Sequence, residues 1–283
     1  MKAYVSVDLE GLPGIASLTM LSPKSPQYSV ASRIMTKLSV VIAGELLNRG
    51  FKEVTVADSH GYMTNLNYLE FPRGVRLIQG YPRPISMVAG ICSEYKAAFF
   101  IGYHCGAGTV KGILDHTYSG RTFHRVWLNE VPVSEFLLNS LVAGEHGVPV
   151  AMVAGDSCLK SEVEKFSPWT VFIELKQGMS RYAAVYKSME ELIDEIKAKV
   201  SEAIRLIEEG VAKPLKFNCD KYKLRIEFKE SEVADVAENI SGASRIDAYT
   251  TEYHLNSPSE ALKLIELLAL AGSGLQYLKQ LMQ

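Results

Sequence analysis

Short apolar runs rich in Val, Ile, Phe and Ala recur along the chain, and each ends abruptly in polar residues. The clearest runs cover residues 3–7, 53–58, 97–103 and 149–156. Segments with the apolar spacing of amphipathic helices lie between them, as over 31–48 and 134–146. Buried strands that alternate with helices are typical of a largely parallel sheet with helices on both faces. We therefore expect an α/β fold.

The C-terminal part of the chain has a different pattern. A long charged helix is predicted over 188–210, and a Lys-Pro pair follows it. Beyond that pair come strand-like stretches that alternate polar and apolar residues, and a helix predicted from Ser257 to Ala271. We therefore divide the chain into an α/β metal-binding domain, residues 1–212, and a small α+β subdomain, residues 213–283.

Charge and composition argue against several partners and locations. The 283 residues carry a formal net charge of −2, which gives no reason to expect binding to nucleic acid or to an anionic membrane. Asp8 and Glu10 interrupt the first apolar run too early for a signal peptide. The late apolar stretch 262–271 is too short to span a bilayer and contains Lys263. Four widely spaced cysteines without a CxxC pair indicate reduced thiols, as in a cytoplasmic protein.

Possible metal ligands follow three of the predicted strands. Asp8 and Glu10 follow the first strand, His60 follows the second and His104 follows the third. In open α/β sheets, ligands bind beyond the carboxyl ends of the strands, so these side chains are expected to lie close together. Asp8 and Glu10 would share one metal ion, or serve two ions about 3.5–4 Å apart. Such ligands suit zinc, manganese or cobalt, and the sequence does not rank these metals.

Each of these residues also has an ordinary structural interpretation. Carboxylates and histidines at strand ends often cap turns, and Asp58 either orients the imidazole of His60 or caps its turn. Glu135 begins a predicted helix, where the helix dipole favours a negative charge. His116 lies in a loop-like segment, where it is either an acid–base group or a polar loop residue. Residue types alone do not choose between these interpretations.

The motifs taken together resemble a known family. Residues 1–156 contain, in this order, MKAYVSVDLEG, VADSHG, FIGYHCGAG, GILDHTYSG, WLNEVPVSE and VPVAMVAGD. This set resembles the zinc-dependent D-aminopeptidase family found with dipeptide-transport operons (the DppA type). The resemblance implies hydrolysis of the N-terminal residue of short, D-amino-acid-containing peptides by a metal-activated water at a dinuclear zinc site. It also implies a homo-oligomer, in the form of a ring-shaped decamer.

The resemblance assigns a role to six residues. It implies one catalytic residue, His116, and five metal ligands, which are Asp8, Glu10, His60, His104 and Glu135. Cys105 and Asp115, which lie beside two of the motif histidines, leave the substrate preference open. Two alternatives remain at this point. One is a dinuclear metallophosphoesterase, which would need basic phosphate-binding groups; the other is a non-catalytic peptide-binding accessory protein of a dipeptide transport system.

Overall fold

The computed structural model describes residues 1–282 and contains two β-sheets. The strands are β1 (Lys2–Val7), β2 (Glu53–Asp58), β3 (Val75–Ile78), β4 (Tyr95–Tyr103), β5 (Phe123–Leu128), β6 (Val131–Pro132), β7 (Val150–Asp156), β8 (Val171–Ser180), β9 (Ala183–Val185), β10 (Tyr222–Phe228), β11 (Ala243–Arg245) and β12 (Thr250–Leu255). The α-helices are α1 (Tyr28–Asn48), α2 (Glu135–Glu145), α3 (Lys160–Phe166), α4 (Met189–Glu208), α5 (Ser231–Ala237) and α6 (Pro258–Met282).

The first sheet has seven strands in the order β3-β2-β1-β4-β7-β8-β9. Neighbouring strands run parallel, except that β9 is antiparallel to β8. The α/β fold with a largely parallel sheet is therefore confirmed. The chain order reverses between β1 and β4, because β2 and β3 lie on one side of β1 and the later strands on the other. Open α/β sheets bind ligands at such a switch point.

Both faces of this sheet are buried. Alternate residues of each strand point to opposite faces, and those on each face pack in a different hydrophobic core. Val5 of β1 packs in one core with α1 and α4, which contribute Leu38 and Val200 among others. Tyr4, its neighbour along β1, packs in the other core with Phe136 of α2. The second sheet and α6 belong to this second core, so α6 lies on the same side of the parallel sheet as α2.

The second sheet is antiparallel, with the strand order β11-β12-β10-β5-β6. Strands β5 and β6 form a hairpin whose turn residues, Asn129 and Glu130, have φ angles of 50° and 64°. Both residues adopt the left-handed conformation that tight hairpin turns require. The strands of this sheet come from both sides of the predicted boundary at residue 213. The division into residues 1–212 and 213–283 stays a prediction.

The final helix is longer than the sequence predicted, and the predicted end at Ala271 was wrong. Gly272 lies inside α6 and packs against Thr122, where a Cβ atom would come within 2.4 Å of Thr122 Cγ2. Tertiary packing thus accommodates a glycine inside the helix. Within residues 1–282, α6 is also the one helix long and apolar enough to cross a membrane.

The prediction of reduced thiols was wrong for two of the four cysteines. Cys105 and Cys158 form a disulfide with a Cα–Cα distance of 5.9 Å, whereas Cys92 and Cys219 are free. The paired residues are 53 positions apart in the sequence. They follow β4 and β7, which are adjacent in the sheet, so the parallel pairing brings them together.

Candidate metal centre

The six predicted site residues meet beside the carboxyl ends of three parallel strands. Strand register sets Val7 of β1 level with Asp58 of β2 and Ile101 of β4, so the residues that follow are neighbours in space. Two further residues come from elsewhere: Glu135 is the first residue of α2, and His116 lies in the loop between β4 and β5. The predicted ligands are buried, whereas the His116 side chain is 18% exposed.

His104 lies between two carboxylates. Its Nε2 atom is 3.6 Å from Asp8 Oδ2 and 3.4 Å from Glu135 Oε2. Ligand atoms of Asp8, Glu10 and His104 all lie within 4.8 Å of one another. One ion could therefore reach all three of these side chains.

The other two histidines approach the same carboxylates. His60 Nε2 is 3.3 Å from Glu10 Oε1, and His116 Nε2 is 3.5 Å from Glu135 Oε1. Ligand atoms of His104, His116 and Glu135 also lie within 4.8 Å of one another. The structure thus brings together all six residues that the sequence singled out.

Three atoms of this cluster are buried without a hydrogen-bond partner: Asp8 Oδ2, Glu10 Oε2 and His104 Nε2. Buried polar atoms are normally satisfied, so an unpartnered group of two carboxylate oxygens and an imidazole nitrogen fits a bound cation. Burial, followed by the charges of Glu10 and Glu135, raises the pKa of Asp8 well above its ordinary value. A divalent cation would offset this repulsion, and mixed carboxylate and imidazole ligands suit zinc. The residues present therefore fit the metal that the family implies.

His60 is oriented by Asn65, which Asp58 holds in turn. The Asp58 carboxylate accepts hydrogen bonds from the Asn65 backbone N–H at 2.5 Å and from its side-chain amide at 2.6 Å. Asn65 Oδ1 accepts a hydrogen bond from the Nδ1–H of His60 at 3.2 Å, which directs Nε2 towards Glu10. Burial alone would lower the pKa of His60, but the Glu10 carboxylate more than offsets this and raises it. Asp58 therefore acts on His60 indirectly, through an asparagine that the sequence did not indicate.

His104 and His116 stack with ring centroids 4.4 Å apart and an angle of 15° between the rings. Each ring donates its Nδ1 proton to a backbone carbonyl at 2.9 Å, His104 to Cys105 and His116 to Leu114. Burial lowers the pKa of His104, but Glu135 reverses this and raises it to about 9. Burial, and then the charge of His104, lowers the pKa of His116. His116 is therefore a neutral imidazole whose Nε2 can accept a proton.

The loop that carries Glu10 is fixed on two sides. The N–H of Gly11 donates to the carbonyl of Gly102 at 2.7 Å. The buried ammonium of Lys176, on β8, donates to the backbone carbonyl of Glu10 and to that of Ile15 at 2.6 Å. Burial lowers the pKa of Lys176 to about 8. Lys176 was missed by sequence reasoning because no motif surrounds it.

A cavity of about 170 Å³ opens beside the cluster. Tyr118 lines it and donates its backbone N–H to Glu135 Oε1 at 2.7 Å. Glu266 and Ala269 of α6 complete the wall. The sequence marks none of these three residues as functional, because they reach the cavity only through tertiary packing.

A larger cavity, of about 350 Å³, is separate from this centre. Cys105, Cys158, Ser134 and Glu162 are among its lining residues, and none of the six predicted site residues belongs to it. The smaller cavity is therefore the candidate active site, because it alone of these two is lined by Asp8 and Glu10, which carry two of the three unpartnered ligand atoms.

A largely parallel α/β sheet with buried carboxylates and imidazoles beyond its strand ends is the arrangement of a metal-binding α/β protein. The family model described as D-aminopeptidase, Peptidase_M55, matches residues 1–267. The chain therefore belongs to the D-aminopeptidase family, as the sequence motifs predicted.

Two relatives agree with this placement. A D-aminopeptidase from Bacillus subtilis (strain 168) is 38% identical over 183 residues, which cover 65% of this chain and 66% of the relative. That alignment spans just under two thirds of the relative's length. The solved structure of the zinc-dependent D-aminopeptidase DppA from Bacillus subtilis, described as a self-compartmentalizing protease, superposes with a TM-score of 0.91. Its sequence identity is 31%, and the match covers 96% of this chain and 98% of that one.

Proposed function

We propose that the protein is a zinc-dependent aminopeptidase that hydrolyses the N-terminal residue of short peptides containing D-amino acids. One observation carries this proposal: five ligand-type side chains and a neutral imidazole form one cluster, most of which lines a cavity, and three of their buried atoms lack a hydrogen-bond partner. Family membership and the zinc dependence of the structural neighbour support the same reaction.

In this proposal two zinc ions bind per chain, held by Asp8, Glu10, His60, His104 and Glu135. When bound, the ions supply Lewis acidity for the scissile carbonyl and an activated water. Three carboxylates against two divalent ions leave a net positive charge, which favours the developing oxyanion.

His116 is proposed as the proton-transfer residue. Its Nδ1–H is held by the carbonyl of Leu114, so Nε2 is the nitrogen available to reacting groups. That nitrogen would take a proton from the attacking water and return it to the leaving amine. Tyr118 fixes the nearby Glu135 carboxylate through its backbone N–H, which keeps the acceptor beside His116 in place.

The two alternatives fit the cavity less well. A phosphoesterase needs basic groups for the phosphate, yet none of the described residues that line the 170 Å³ cavity is lysine or arginine. A non-catalytic peptide-binding protein would gain nothing from a neutral imidazole beside a cluster of metal ligands. The geometry therefore favours hydrolysis.

Hydrolysis of D-alanyl-D-alanine by the zinc-loaded enzyme tests the proposal, with His116→Ala compared with the wild type. Loss of a general acid–base group lowers kcat by about 10²- to 10⁴-fold, and bound zinc should stay as in the wild type. His124→Ala is the matched control, because this exposed histidine on β5 lies outside the cavity. Full activity in His116→Ala would reject the role of His116. A zinc-loaded wild type without activity would reject the function.

We also propose that the chain assembles into a homo-oligomer, a ring-shaped decamer, in the cytoplasm. The self-compartmentalizing neighbour supports assembly, and the end of α6 exposes apolar side chains that include Leu278 and Leu281, at 54% and 65%. Exposed apolar clusters of this kind favour association. Sedimentation should give about ten times the chain mass of 31.3 kDa. A particle of single-chain mass would contradict the assembly.

A further inference from the structure

One carboxylate in the active-site cavity has no part in the metal centre described above. Glu266 of α6 lines the same 170 Å³ cavity as Asp8, Glu10 and Glu135, but it comes from the C-terminal helix. Its Oε1 atom is buried and has no hydrogen-bond partner. A buried carboxylate oxygen without a donor is costly unless a ligand supplies one.

Arg83 is the cation whose charge acts on Glu266, but its guanidinium forms its hydrogen bonds with other groups. The guanidinium of Arg83 donates to the backbone carbonyls of Ser86 at 2.8 Å, Asp58 at 2.7 Å and Ile78 at 3.2 Å. Burial raises the pKa of Glu266, and the backbone amide and charge of Arg83 only partly offset this. Glu266 therefore keeps an unused acceptor atom for a cationic donor that enters the cavity.

Uncharged side chains also line this cavity. Met63, Met87, Ala269 and Tyr81 contribute to it, so the space beside Glu266 suits a small uncharged side chain. A peptide substrate of an aminopeptidase brings a cation to this place by its own covalent structure. Its α-ammonium nitrogen is two bonds from the scissile carbonyl carbon, so one small cavity must hold both groups.

We propose that Glu266 binds the α-ammonium group of the peptide substrate and so selects for a free N-terminus. This inference rests on the proposed aminopeptidase function. The ammonium donates a hydrogen bond to the Glu266 carboxylate, while the carbonyl of the same residue lies at the metal ligands. The C-terminal helix thus supplies a specificity residue to a centre whose other groups come from the N-terminal half of the chain.

The test compares Glu266→Gln with the wild type, using two compounds that differ by one group. D-alanyl-D-alanine is the substrate, and N-propionyl-D-alanine, which has hydrogen in place of the amino group, is added as the competing ligand. Glutamine keeps the shape of the side chain but removes its charge. Because an ammonium–carboxylate hydrogen bond is lost, KM for the dipeptide should rise about 10- to 100-fold. The kcat should stay within about threefold, as expected for a binding group.

The inhibition constant of N-propionyl-D-alanine should be the same for both proteins, because this compound has no ammonium to lose. Bound zinc should also be unchanged, and the thermal midpoint should be equal to that of the wild type or higher, because a buried charge is removed. Glu260→Gln is the matched control, since Glu260 is another carboxylate of α6 and does not line the cavity. It should leave KM and the inhibition constant as in the wild type.

An unchanged KM in Glu266→Gln would overturn the inference. Equal losses for dipeptide and propionyl compound, or a joint fall in zinc content and kcat, would also overturn it, because both indicate a structural role. A wild type that hydrolyses no D-dipeptide would reject the proposed function itself, and this inference with it.

Discussion

Gly11→Ala should disrupt the loop that carries two of the proposed ligands. Gly11 directly follows Glu10 and lies against the end of β4, which leads into His104. A Cβ atom at this position would come within 2.0 Å of the backbone oxygen of Tyr103. Ordinary contacts begin at 3.4 Å, so the two backbones must separate by about 1.4 Å. No side-chain rotation relieves this contact, because the obstacle is backbone.

Two contributions determine how much the Gly11→Ala substitution lowers the free energy of unfolding. Overpacking of this kind costs about 1–3 kcal/mol. The hydrogen bond from the Gly11 N–H to the Gly102 carbonyl, 2.7 Å long, lies at the same contact and contributes about 1 kcal/mol. The free energy of unfolding should therefore fall by about 2–4 kcal/mol. Because Glu10 moves with the loop, zinc affinity should fall about 10- to 100-fold.

Guanidinium unfolding of the EDTA-treated proteins measures the first effect without zinc, and zinc titration measures the second. Gly44→Ala is the control, because Gly44 is inside α1 and nothing lies within 4 Å of the added Cβ. That variant should gain about 0.5–1 kcal/mol, since alanine favours the helix. A Gly11→Ala protein as stable as the wild type, with the same zinc affinity, would refute the packing argument.

Two further predictions concern the larger cavity. Reduction of Cys105–Cys158, which closes a loop between residues 53 positions apart, should lower the free energy of unfolding by about 4 kcal/mol; an unchanged unfolding midpoint in dithiothreitol would contradict this. Burial raises the pKa of Glu162 to about 7, so the folded state holds more protons and loses stability between pH 4.5 and 7. Glu162→Gln should therefore be about 3 kcal/mol more stable than the wild type at pH 8, with the difference vanishing near pH 4.5; equal differences at both pH values would contradict this.

Residues at the ends of parallel strands were accessible to sequence reasoning. The apolar runs predicted β1, β2 and β4, and a parallel sheet necessarily brings their carboxyl ends to one edge. The polar residues that follow these strands, such as Asp8, His60 and His104, therefore had to lie close together. Glu135 and His116 do not follow sheet strands, and only the family resemblance connected them with the other four. In the structure, His116 Nε2 lies 3.5 Å from Glu135 Oε1.

Residues that act through tertiary contacts were not accessible. Asn65 orients His60 and Lys176 holds the Glu10 loop, but neither lies in a pattern that predicts this role. Glu266 reaches the cavity only because α6 packs on the same face of the sheet as α2. The Cys105–Cys158 pairing depends on the adjacency of β4 and β7, which the sequence does not specify. In each case the missing information was which distant segments are neighbours.

The central claim is that the buried cluster holds two zinc ions that are needed for peptide hydrolysis. The most direct measurement is a titration of the EDTA-treated protein with zinc, in which bound metal and hydrolysis of D-alanyl-D-alanine are followed together. The account predicts that activity rises to a plateau at two zinc ions per chain. Full activity without zinc, or a plateau at one ion per chain, would contradict it.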